Sequence, residues 1–212
     1  MTLGVIGKKV GMTQVFDQEG LAIPVTVVKL GDNIVTQKLT KEKNGYVAVQ
    51  VGGFLVEEKK LNKPELGAFK KNSVSPAKPL QEYRLEDNAA YNVGENLPID
   101  QILKEGMLVD VHGRTIGKGF QGTIKRYHAG RGPMSHGSKF HRSMGSIGAG
   151  TTPGRVFRGL HMPGQMGNKN HCIRHLKVVR VDLEKKVLLI KGAVPGSDGG
   201  LLTIKPSKTK WN

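Results

Sequence analysis

Met107-Leu108-Val109-Asp110-Val111-His112-Gly113-Arg114-Thr115-Ile116-Gly117-Lys118-Gly119-Phe120 is the stretch on which the fold of this 212-residue chain turns. Met107, Val109 and Val111 fall on one face and Asp110 on the other, the period-two pattern of a half-buried strand. Beyond Asp110 the chain changes character. The 71 residues from Val111 to Val181 hold no Asp or Glu, 13 Lys and Arg, and all seven His. They carry +13 of the net +16; the other 141 residues, with 20 basic and 17 acidic side chains, sum to +3. Basic character is one long stripe in a nearly neutral protein. An acid-free stripe suits a polyanion approached closely and along some length, nucleic acid first.

Strands flank the stripe on both sides. Upstream, Val5–Val10, Leu21–Leu30 and Tyr46–Val51 are β-branched runs bounded by Gly, Asn and Asp. Asp17–Gly20 is a turn, and Pro24 points to an edge strand or a bulge. Residues 57–105 read as a small polar, helical insertion. It contains a helix at Lys63–Lys71 opened by Pro64, a loop at Ser73–Pro79 and a helical turn at Pro98–Leu103. Downstream, strand character resumes at Ile173–Leu183, Val187–Lys191 and Leu201–Lys205. The expected fold is mainly β with few short helices. Residues 1–111 and 173–212 form a β-barrel, whose closure removes sticky edges. Residues 112–172 leave it as an extended basic finger.

That finger lacks the means to fold alone. In residues 112–175, nine of 64 are Leu, Ile, Val or Phe, and fourteen are Gly. Chains below roughly 20% of those apolar types with high net charge do not offset their ordering entropy. The segment is therefore expected to order on its partner. At about 3.3 Å per residue, two limbs reach at most roughly 100 Å.

Several function classes are disfavoured. No apolar run is long enough for a membrane span, and the N-terminus lacks the basic-then-apolar order of a secretory signal. Cys172 is the only cysteine, so a reducing compartment and an inert thiol are expected. Gly117-Lys118-Gly119-Phe120-Gln121-Gly122 matches a dinucleotide-loop spacing, but the acid needed about 20 residues on is missing. Its glycines read instead as permitting close approach to a phosphate chain. His171 and His175 beside Cys172 have zinc-like spacing, but no second cysteine or carboxylate joins them, so no metal is expected. Ser135-His136 lacks an orienting acid nearby, and no enzyme activity is expected. Phe120 reads as an anchor for the finger's base. Tyr127, Phe140 and Phe157 read equally as anchors or as stacking platforms for bases. Eight of the stripe's 13 cations are Arg, whose planar fork favours bidentate phosphate contact.

The segment Leu103–Arg126 closely resembles the signature of the ribosomal protein L-three family of the large subunit. So do Gly7-Lys8-Lys9-Val10-Gly11-Met12-Thr13, Pro24-Val25-Thr26-Val27, Gly145-Ser146-Ile147-Gly148 and Thr152-Pro153-Gly154-Arg155-Val156-Phe157. Met162-Pro163-Gly164-Gln165-Met166-Gly167 and Lys191-Gly192-Ala193-Val194-Pro195-Gly196 complete the resemblance, in the family's order and across essentially the whole chain. The length resembles the bacterial and plastid branch.

The resemblance implies a translation-protein-type β-barrel and an extension running through large-subunit ribosomal RNA toward the peptidyl-transferase centre. It implies an early role in subunit assembly, with that RNA and neighbouring large-subunit proteins as partners. No cofactor, small-molecule substrate or membrane is implied. The location is the ribosome of a bacterial cytoplasm, or of a plastid stroma. Gly164, Gln165, Met166 and Gly167 would form the tip nearest the centre, and the matching glutamine is methylated on its side-chain amide in some bacteria. Candidate RNA contacts are Lys8, Lys9, Arg114, Gly117, Lys118, Gly119, Gly122, Lys125, Arg126, Arg131, Lys139, His141, Arg142, Arg155, Arg158, Lys169 and Arg174. Residues near Gly117–Arg126 would form the finger's base.

Overall fold

The computed structural model describes residues 2–208. Met1 and residues 209–212, the ends of the expected barrel segments, lie outside the described residues. In chain order the elements are β1 (Val5–Phe16), β2 (Ala22–Leu30), β3 (Ile34–Leu39), α1 (Lys41–Asn44), β4 (Ala48–Leu55), α2 (Lys63–Lys71), β5 (Ala77–Arg84) and α3 (Ile99–Ile102). They continue with β6 (Leu108–Arg114), β7 (Gly119–Gln121), α4 (Thr123–Tyr127), β8 (Gly164–Met166), β9 (Asn170–Asp182), β10 (Val187–Lys191) and β11 (Leu201–Pro206). The chain divides into two compact units: residues up to Arg114 together with those from Asn170 on, and Thr115–Lys169.

The first unit is built on a large antiparallel sheet of six strands. They pair in the order β1-β11-β6-β9-β10-β2, and β2 pairs back onto β1. All six strands contribute to one apolar cluster: Val5, Val28, Leu30, Val109, Val111, Val178, Leu188, Ile190, Leu202 and Ile204, with Leu103 and Val194 joining from the connections. β-Branched side chains suit this pleated, one-sided burial. Each one buried contributes about 1.5–3 kcal/mol, so this cluster dominates the unit's stability.

Alternation along β1 couples the large sheet to a smaller one. Val5 enters the first cluster, while the next residue, Ile6, enters a second with Val35, Val49, Val51 and Tyr83. Those partners belong to the three-stranded sheet β3-β4-β5. On that sheet's other face Ile34 and Ala77 pack against Phe69 of α2. The helix starts after Asn62, whose backbone N–H donates to the Glu65 carboxylate at 3.1 Å. Asn33, fully buried, stitches the two sheets together. Its Oδ1 accepts from Ile6 N at 2.7 Å, and its Nδ2 donates to Ile6 O and Gly31 O at 3.1 and 2.8 Å.

Several expectations need correction. Residues 57–105 are not only polar and helical, because they contain β5, which begins inside the expected loop at Ser73–Pro79. β3 was not foreseen at all, and β4 runs four residues past Val51, to Leu55. Pro24 lies in a strand paired on both sides, but β10 pairs with β2 only as far as Val25. Gly192 N–H still donates to Pro24 O at 2.9 Å, so Pro24 sits at the very end of the β10 pairing, where a missing N–H does least harm. The β1 bulge falls elsewhere, between Lys9 and Gly11. β6 extends through Arg114 and β9 starts at Asn170, so the second unit begins and ends three residues inside the expected 112–172.

Candidate nucleic-acid interface

Among the 55 residues Thr115–Lys169, only Thr123 is buried. The segment holds nine cations: Lys118, Lys125, Arg126, Arg131, Lys139, Arg142, Arg155, Arg158 and Lys169. It has no carboxylate to pair with them, and every one except the half-buried Arg126 is exposed. Uncompensated like charges repel, and a unit without a core has little to set against that repulsion.

Polar contacts and close backbone approach shape the unit. Thr115 N–H donates to Lys169 O at 2.9 Å, and Asn168 N–H returns a bond to Thr115 O at 3.1 Å. Lys118 N–H then donates to Met166 O at 2.9 Å. The ladder continues as β7 against β8, in the register Gly119↔Met166, Phe120↔Gln165 and Gln121↔Gly164. Glycine is needed at Gly167, which has φ +70° and whose Cβ would overlap the Ile116 carbonyl oxygen. Farther along, the Arg126 guanidinium donates to Met162 O at 2.6 Å and lies 4.9 Å from the centre of the Tyr127 ring. Tyr127 in turn stacks on His161, with centroids 4.0 Å apart and planes within 3°. Gly132 N–H donates to His141 O at 3.0 Å, and His141 Nδ1 lies 3.0 Å from Pro133 O, so that nitrogen carries the proton.

This arrangement redistributes the roles expected from sequence. Gly117 faces Asn168, 3.3 Å from where its Cβ would be, so its small size serves the approach of one limb to the other. Gly119 and Gly122 have open space around them. Gln165, expected at a tip, lies opposite Phe120, expected at a base. The two stretches are neighbours in one ladder, because Gly117–Gly122 and Gly164–Gly167 sit at matching distances from the closing pair Thr115 and Lys169. Phe120 is 76% exposed, so it is not a packed anchor. Of the three aromatics left open, Tyr127 stacks internally, Phe157 has the Arg155 guanidinium 5.6 Å from its ring centre, and Phe140 is exposed. Arg126 and His141 act first as internal braces.

The remaining candidates belong to the first unit. Lys8 holds its ammonium 4.5 Å above the Phe54 ring. Lys9 donates to Gly196 O at 2.9 Å, an internal contact with the β10–β11 connection. Arg114 and Asn170 are register partners across β6 and β9, and Arg174 is exposed on β9. Beside them His112 Nε2 lies 3.6 Å from Cys172 Sγ. Burial pushes the thiol up, aided by Asp110, which keeps it protonated and unreactive. Burial also lowers the His112 imidazole, with Lys205 adding to the shift. His175 Nδ1 lies 3.0 Å from the Ser207 hydroxyl, and among the described residues no three metal-ligating side chains converge.

Sequence reasoning missed the Arg126–Met162 brace and the Tyr127–His161 stack. Their partners lie 36 and 34 residues apart, beyond any local periodicity. The one available signal was the doubling of glycine-rich stretches, Gly117–Gly122 and Gly164–Gly167, which marks limbs that meet.

Residues 83–187 match the family model described as Ribosomal protein L3. Over 207 residues the chain is 54% identical to the large ribosomal subunit protein uL3 of Acaryochloris marina, covering 98% of this chain and 97% of that protein. It is 54% identical over 209 residues to the uL3 of Crocosphaera subtropica, with 98% of each chain covered. It is also 54% identical over 207 residues to the uL3c of Arabidopsis thaliana, covering 97% of this chain and 76% of the relative.

Proposed function

Because the chain belongs to the ribosomal protein L3 family, a family of structural and non-catalytic ribosomal proteins, we propose that Thr115–Lys169 is its direct contact with large-subunit ribosomal RNA. One observation carries this reading: nine cations, no carboxylate and a single buried residue in the same 55-residue unit. A segment so charged is stabilised when phosphates replace the missing counter-ions, and it adapts to RNA shape more than to base sequence. Lys118, Lys125, Arg131, Lys139, Arg142, Arg155, Arg158 and Lys169 supply the phosphate contacts. Arg126 and His141 hold the limbs that present them. Lys8, Arg114 and Arg174 extend the contact onto the first unit.

The finer reading follows the family. The six-stranded sheet is a translation-protein-type barrel, the second unit extends toward the peptidyl-transferase centre, and binding occurs early in subunit assembly, next to other large-subunit proteins. The relatives support a bacterial or plastid ribosome as the location. Gln165, with its exposed carboxamide, is the site for side-chain methylation; intact-mass analysis of the protein from purified subunits would show one added methyl group, and an unmodified mass would remove the assignment.

Salt titration of binding to large-subunit ribosomal RNA tests the central proposal. With five or more phosphates neutralised, the log–log slope of affinity against salt should exceed about 4 in magnitude. A flat dependence would refute it.

A further inference from the structure

Two stretches oppose the acid-free stripe in charge, Val10–Val28 and Leu85–Leu103, and of these only the first is a strand hairpin. From Val10 to Val28 the chain has no Lys or Arg and two acids, Asp17 and Glu19. In a protein of net +16 this leaves the outer part of the β1–β2 hairpin without a cation. β1 pairs with β11 only from Val5 to Lys8, and the β10–β11 connection adds bonds at Lys9. β10 pairs along β2 to Val25, and a last bond runs from Gly192 N–H to Pro24 O at 2.9 Å. The outer half of the hairpin is therefore a two-stranded ribbon. Among the described residues, β1 from Val10 to Phe16 has no backbone partner on the side away from β2.

That free edge carries none of the usual protection along its length. It has no lysine and no proline, whereas the opposite edge is blunted by Pro24. The Lys9/Gly11 bulge sits at its root, where it re-aims the ribbon without covering it. Val10, Met12, Phe16 and Leu21 are each more than half exposed, at 54, 52, 62 and 61%. Met12 and Phe16 fall on one face, four residues apart.

We propose that this ribbon docks a basic segment of another large-subunit protein, which adds along the β1 edge as a further strand. The main-chain edge supplies hydrogen bonds, the apolar face supplies burial, and Asp17 and Glu19 favour a cationic partner. RNA is the disfavoured occupant, because the ribbon offers phosphates no cation and two like charges. The inference rests on the chain residing in the large subunit.

A benzophenone photo-cross-linking residue placed at Met12 or at Phe16 of the full chain, in separately purified and salt-washed large subunits, tests it. Arg131 carries the probe in a third preparation. The expected adducts at 12 and 16 are to a lysine- or arginine-rich protein segment. In addition, amide hydrogens of Val10–Phe16 should exchange at least about tenfold more slowly in the particle than in the free chain. Adducts to RNA, to an acidic segment or to a second copy of this chain overturn the proposal, as do absent adducts or unchanged exchange. RNA adducts at 131 support the reading of Thr115–Lys169 whatever happens at the ribbon, and their absence counts against that reading separately.

Discussion

Twelve residues drawn from all six strands of the large sheet and its connections are buried together, whereas between Thr115 and Lys169 only Thr123 is buried. One unit is held by apolar side chains that need nothing outside the protein. The other is held by a short ladder, a guanidinium on a carbonyl and a ring stack, under the repulsion of nine like charges. The first unit has a packed interior of its own, and the second has almost no buried side chain to hold it in shape.

Excising the second unit should break the comparison most visibly. Arg114 and Asn170 face each other across the β6–β9 ladder, so an Asn-Gly turn in place of Thr115–Lys169 closes a hairpin. The shortened protein should keep one cooperative unfolding transition and lose about a thousandfold in affinity for ribosomal RNA. Filter binding beside urea unfolding measures both. Loss of the cooperative transition would show that the units depend on each other for folding.

Paired truncations come next. Leu188→Ala empties part of the six-stranded sheet's cluster and should cost about 2–5 kcal/mol in urea unfolding. Phe157→Ala removes a larger but exposed side chain and should stay within about 0.5 kcal/mol of the parent. Equal costs would mean that Thr115–Lys169 has a packed interior after all.

Gly167→Ala sharpens the comparison from the other side. At φ +70°, with the Ile116 carbonyl in the way, the substitution strains the closing ladder by about 1–3 kcal/mol. The urea midpoint should not move, while RNA affinity drops about tenfold. A shifted midpoint with unchanged affinity would reverse the assignment of that glycine.

The two units also differ in how much of them the sequence reveals. β6, β9, β10 and β11 stand out because Val, Ile and Leu alternate along them on a one-sided sheet. β5 does not, because its Lys78, Pro79, Glu82 and Arg84 have little strand preference. It is a strand by position, at the edge of the sheet order β3-β4-β5, where Pro is tolerated. The cations of Thr115–Lys169 were visible from composition alone, since charge needs no register. Which of them brace and which remain free depends on how two limbs align, and no periodicity encodes that. Arg126 and Arg131 are alike in sequence, but one is half-buried against Met162 O and the other exposed.

The smallest effect concerns acid. In the first unit Lys186 Nζ lies 2.6 Å from Asp32 Oδ1, with the two side chains 53% and 28% exposed. The hydrogen bond from Lys186 lowers the Asp32 pKa, more than burial raises it. A carboxyl depressed on folding adds stability above its unfolded value near pH 4, and that stability is lost as pH falls through the lower folded value. Solvent screening at this exposure limits the pair to about 0–1 kcal/mol. Asp32→Asn should therefore lower the urea midpoint slightly at about pH 7 and leave it unchanged near pH 2, where both proteins carry a neutral group. A difference that persists in acid would assign the residue's contribution to packing beside Asn33. Thr115–Lys169 has no carboxylate to protonate, so any stability lost with a depressed carboxyl group belongs to the first unit alone.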